Sequence, residues 1–180
     1  MKRIASSLAL LLLPLLATAQ QLQKSNISEP GLSDFANLHP MVVHLPIVLL
    51  FVALATQIAS FFTWKPQLDV MTLLTLLGGV IGAFLAAEVF HPHARGLDAA
   101  AQHIYEEHDT YASWTLWLSV VALIMKAASY WFLKGKLWLE IVLTVVLAGS
   151  AAAVAFAAHE GAALVYIHGV GVQGNYVEGD

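Results

Sequence analysis

Histidine placement is the chemical signal in this chain. Seven of the eight histidines fall just outside the ends of long apolar segments, and the eighth, His44, lies in the first turns of one. If those segments cross a membrane in alternating directions, all eight reach one side. His39 and His44 open the first segment, and His91 and His93 close the second. His103 and His108 precede the third, and His159 and His168 follow the fourth. Imidazoles gathered at one membrane face are the donor set of a haem or metal site, and the same rings also serve as plain interfacial hydrogen-bonders. The chain has no cysteine. Covalent haem attachment, thiolate ligation and disulfides are therefore excluded, and any metal is left to imidazole, carboxylate or thioether.

The elements that must position these rings are membrane spans. Of 180 residues, 59% are hydrophobic and only 11% charged, whereas a soluble domain carries about a quarter charged residues. The net charge of −4 offers nothing to nucleic acid. Four apolar runs are long enough for the roughly 20 residues a spanning helix needs. They run from about Pro40 to Thr63, Leu68 to Phe90, Tyr111 to Leu133 and Leu137 to Ala158. Only helices satisfy every backbone amide in lipid, and the runs are too continuous for alternating barrel strands. The expected fold class is an all-α integral membrane protein, a four-helix transmembrane bundle in contact with lipid.

Ahead of the bundle, residues 1–19 read as a cleaved signal peptide. Lys2 and Arg3 precede the short apolar run Leu8 to Leu16, and Ala17-Thr18-Ala19 supplies a small-x-small cleavage site. Residues 20–37 form a polar exported leader, 38–172 the membrane domain and 173–180 an exported tail. Lys65, Lys134 and Lys136 lie in the two loops opposite the histidines, opposed there only by Asp69. Basic residues mark the cytoplasmic side. The expected location is thus the bacterial inner membrane, with both mature termini and the histidine face extracytoplasmic. Lys126 is the one charge well inside a span. It either snorkels to the interface or pairs with Glu140, one turn into the fourth span.

Small residues concentrate in the middle of the second span, Gly78 to Ala83, and in the fourth, Ala148 to Ala158. They allow close helix approach or leave room for a flat cofactor. His39 and His44 are five residues apart, so on one helix they point about 140° away from each other and do not both grip one small ion. His91 and His93, split by Pro92, form a loop pair. His103 and His108 are assigned to a hydrophilic loop, and Gly161 to a helix cap.

Three main readings stay open, beside a fourth in which a histidine–glutamate pair serves a hydrolase. One is haem b held between helices by two histidines, with His44 and either His108 or His159 as the axial pair. His39 and His168 are then second ligands or partners that support the ligating rings, and Met41 is an alternative axial ligand. Another is a zinc, copper or iron ion on His44, His108 and His159, with Glu88, Asp109 or Glu160 supporting the rings. The last is a cofactor-free anchor. His44 and His159 are expected to matter more than His91 or His103. An electron-transfer or binding protein is favoured over an enzyme, since no HExxH or GxSxG motif is present.

Two motifs carry a family resemblance. Leu38-His39-Pro40-x-x-Val43-His44-x-Pro46-Ile47 lies near the start, and His159-x-Gly161-x-x-Leu164-Val165-Tyr166-x-x-Gly169-Val170-Gly171-Val172 near the end. Together they resemble the bacterial membrane family called domain of unknown function 2231, over roughly residues 36 to 172. The resemblance implies the four-span pattern and motif positions at His39, His44, His159 and His168, with His108 a looser match. It also implies redox work beside a cytochrome c-like or Rieske-type partner at the outer surface.

Overall fold

The computed structural model describes residues 37–177. The expected signal peptide, nearly all of the leader and the last three residues lie outside them. Five α-helices follow in order: α1 (His39–Val42), α2 (His44–Ala59), α3 (Lys65–Phe84), α4 (Ala99–Trp131) and α5 (Leu137–Tyr166). A π-helical turn, Leu85–Val89, extends α3, and a 3-10 turn, Val172–Gly174, follows α5. No strand occurs among the described residues; Ala94 and Val177 form an isolated bridge.

The four spans are present, each long and apolar enough to cross a membrane: His39–Ala59, Lys65–Val89, Ala99–Trp131 and Leu137–Tyr166. Two boundaries correct the sequence reading. Residues around His103 and His108 belong to the third helix rather than to a loop. Asp98 starts that helix, its Oδ1 accepting the Ala101 amide at 2.8 Å, which satisfies one of the free first-turn donors. At 33 residues the helix is about 50 Å long and outreaches the roughly 30 Å hydrocarbon layer. Part of it therefore stands clear of the hydrocarbon layer. Likewise Gly161 does not cap the fourth helix, which continues to Tyr166.

Short connections make neighbours antiparallel. Helix α2 packs on α3 and α4 on α5, while α3–α4 and α2–α5 contacts close the ring. Leu50, Ala53, Leu76, Ala122, Leu143, Leu147 and Val154 form the core. The small residues of the second span serve close approach. A Cβ at Gly82 would come within 2.8–3.0 Å of Leu45 and Pro46, and one at Gly79 within 2.8 Å of Leu50. Pro46 lacks the amide that would bond to the carbonyl of Val42, and the helix is interrupted at Val43, between α1 and α2. Large apolar side chains, among them Phe62, Ile124, Phe132 and Val145, face outward. They meet lipid in a membrane protein.

At the lysine end one polar residue from each span meets its partners. Lys126 is fully buried, so it pairs rather than snorkels. Its ammonium donates to Asp69 Oδ1 at 2.7 Å, Gln57 Oε1 at 2.8 Å and Glu140 Oε2 at 3.2 Å. Glu140 also accepts from Gln57 Nε2 at 2.6 Å and Ser129 Oγ at 2.5 Å. Lys65 adds a second cation, 3.1 Å from Asp69 and 3.7 Å from Glu140. Two ammonium groups balance two carboxylates, and the spans are tied together at that end.

Candidate metal centre

At the opposite end three helix ends converge. His39 opens α1, His91 follows the π-helical turn, and His108 lies three turns into α4. One ring nitrogen from each falls within 4.8 Å of the other two. The rings of His91 and His108 stack with centroids 6.2 Å apart. His39 meets both edge-on, at 5.6 Å from His91 and 6.1 Å from His108.

The surrounding acceptors set the tautomers. His39 Nδ1 lies 3.0 Å from the carbonyl of Ala86, inside the π-helical turn, and His108 Nδ1 lies 2.8 Å from the carbonyl of Ala157 in α5. A carbonyl only accepts, so both rings carry their proton on Nδ1 and leave Nε2 unprotonated. The Tyr105 hydroxyl donates to the carbonyl of Pro92 at 3.2 Å, so it accepts from His91 Nε2 at 3.2 Å and occupies that nitrogen. A ligating histidine typically has this arrangement, one nitrogen anchored and the other free.

Asp109 adds negative charge. Its Oδ1 lies 3.1 Å from His91 Nε2, but that N–H is aimed at Tyr105. The carboxylate oxygen is buried and accepts no hydrogen bond. The cluster thus gathers three imidazoles, each with one nitrogen at a hydrogen-bond partner, and a carboxylate oxygen beside them. Imidazole nitrogens beside a carboxylate suit a divalent transition metal. Ligand bonds of about 2.0–2.1 Å would draw the nitrogens to about 3.4 Å from one another, a closure of at most about 1.4 Å.

The backbone makes room for this cluster. A Cβ at Gly161 would press on the His108 ring at 3.3 Å. The tail after α5 folds across the cluster, with Gly169 and Gly171 at φ +68° and +78°, a conformation that favours glycine. The Arg95 amide bonds to the Tyr176 carbonyl at 2.7 Å. A cavity of about 280 Å³ under the tail is lined by His39, His91, His108, Val170 and Val177. A second, about 480 Å³, lies among the four spans and shares His39 and His108.

The residues singled out in the sequence divide accordingly. The structure brings His39 and His108 together, with Asp109 beside them. His44 lines the larger cavity but is outside the triad. His159 is exposed, His168 is half-buried in the tail, Met41 faces outward, and Glu88 and Glu160 lie outside the group. His91, read as a loop residue, completes the triad instead, held by Tyr105. His93 is exposed, and His103 faces Glu107 at 3.6 Å.

The family model described as "Predicted membrane protein (DUF2231)" matches residues 36–174. The chain belongs to that family of membrane proteins. No curated protein and no solved structure matches it.

Proposed function

We propose that this membrane protein holds one divalent transition-metal ion, zinc in the first instance, on His39, His91 and His108. The observation that carries this reading is the convergence of three imidazoles, each oriented by a hydrogen bond at one of its two nitrogens. Asp109 offsets the charge of the ion. Three protein ligands leave a fourth position open, as in metal sites that bind or activate a small ligand. We further place the histidine end outside the cytoplasm, since Lys65, Lys134 and Lys136 lie at the other end. A periplasm-dependent reporter should then work after Asp180 and fail at Gly135.

Haem b is the second reading, and the larger cavity favours it. It asks two histidines to face each other across a macrocycle, while the third here points at the same centre. An electron-exchange role with a cytochrome c-like or Rieske-type partner belongs to that reading. Purified protein separates the two. Elemental analysis should find about one zinc per chain, lost in His108→Ala, with no Soret band. A Soret band with sharp α and β bands would replace zinc by haem. Protein that takes up neither from saturating supplies would overturn both.

A further inference from the structure

The larger cavity is the feature that the metal reading leaves unused. It holds about 480 Å³ and is bounded by residues of all four spans, within the usual size of small-molecule sites. Its walls are made by small side chains: Ala83, Ala86 and Ala87 from the second span, Ala112 from the third, Ala158 and Ala162 from the fourth. The alanine-rich stretch of the fourth span therefore does more than bring helices close. It leaves a hollow among the four spans.

One end of the hollow is polar. His39 and His108 belong to both cavities, so the metal centre stands at their junction. His44 lines the hollow as well. It is exposed and makes no hydrogen bond or ion pair among the described residues. Its ring offers one donor and one acceptor to a group that enters the hollow. Lipid is the surrounding medium, and an apolar hollow there is filled by hydrocarbon. A polar group beside His44 and a metal with an open position call for oxygen.

We propose that this cavity binds a single-chain amphiphile taken from the bilayer, with its hydrocarbon chain between the spans and an oxygen head group, carboxylate or hydroxyl, at His44. The inference deepens the metal reading, because the head would also reach the open metal position. It fails separately from that reading, because metal and amphiphile are measured independently.

The probe is palmitic acid carrying a photoreactive diazirine in its chain, added to the purified full chain in detergent. Adducts should map to the peptides around Val43–Ile47 and Ala157–Val165 and should be displaced by unlabelled palmitic acid but not by hexadecane. His44→Ala should weaken labelling about tenfold, the loss expected for one hydrogen bond, with zinc retained. Ala162→Leu, which fills the hollow from an exposed helix position, should abolish labelling and also retain zinc, so that its effect is not a failure to fold. Labelling spread over the outer apolar surface, equal displacement by hexadecane, or labelling unchanged in Ala162→Leu would each overturn the proposal. His39→Ala isolates the two readings: labelling kept with zinc lost leaves the cavity standing without its metal. Labelling and zinc lost together tie the head to the ion.

Discussion

The two ends of the bundle use polar residues in opposite ways. At the lysine end, Lys126, Asp69, Gln57 and Glu140 come one from each span and satisfy one another, with Ser129 and Lys65 completing the set. Donors match acceptors and the charges cancel. At the histidine end the balance is left open: three imidazoles converge, a buried carboxylate oxygen accepts no aligned hydrogen bond, and two cavities adjoin them. Buried polar groups are normally paired because an unpaired one is costly. A closed network therefore reads as a structural tie, and an open one as a place for something that arrives from outside.

The comparison breaks first at the lysine end. Lys126→Ala leaves two carboxylates in the interior with only Lys65 to answer them. Removing one partner of a buried pair costs about 3–5 kcal/mol. The expected result is a large drop in folded yield and in the denaturant midpoint in detergent, whatever metal is supplied. Pairing Lys126→Met with Glu140→Leu should recover much of that loss, since no charge is then stranded on those two spans. A single variant as stable as the wild type would show that the network ties nothing.

At the histidine end the same kind of deletion should spare the fold. His39→Ala, His91→Ala and His108→Ala should each remove bound zinc while the unfolding midpoint of the metal-free protein stays within about 1 kcal/mol of the parent. His103→Ala and His159→Ala should leave zinc content unchanged, because both rings are exposed and outside the triad. Elemental analysis beside a denaturation curve reads both quantities. Equal metal loss in all five would dissolve the distinction between ligands and surface histidines.

Asp109→Asn is a smaller change. It keeps the shape of the side chain and removes the charge beside His91. Outer residues of this kind typically change metal affinity about 10–100-fold, so zinc should be retained at saturation but released at lower chelator concentration. Affinity equal to wild type would mean that Asp109 takes no part in holding the ion.

The number of spans, their alternation and the single histidine face were legible, because length and hydropathy alone decide what crosses a bilayer. Pairing of Lys126 with Glu140 was legible from their positions near one membrane level. Gln57 and Asp69 were not, since which faces of two distant helices meet depends on packing, here on the close approach at Gly79 and Gly82. The same limit applies to the metal centre. His39 and His108 lie near the ends of spans and were singled out. His91 sits after a π-helical turn and a Pro92 break, and only the fold shows that this exit turns it inward, toward Tyr105. Helices that extend past the bilayer also hid the status of the third helix, whose first turns read as a polar loop.

Gly161→Ala is the finest cut between the two ends. In a helix interior alanine is favoured over glycine by about 1 kcal/mol, so on backbone grounds the variant should be as stable as the parent or slightly more so. The new Cβ, however, would lie 3.3 Å from Cε1 and Nδ1 of the His108 ring. Relief requires the ring to give by a few tenths of an ångström, which strains its 2.8 Å bond to the carbonyl of Ala157 and moves Nε2 off the common centre. Zinc affinity should fall about tenfold, near 1.4 kcal/mol, while the denaturation midpoint of the metal-free protein holds or rises. Chelator competition and denaturant unfolding on the same preparation read the two numbers. Unchanged affinity would mean that the His108 ring absorbs the methyl without cost and that Gly161 is not what sets its place.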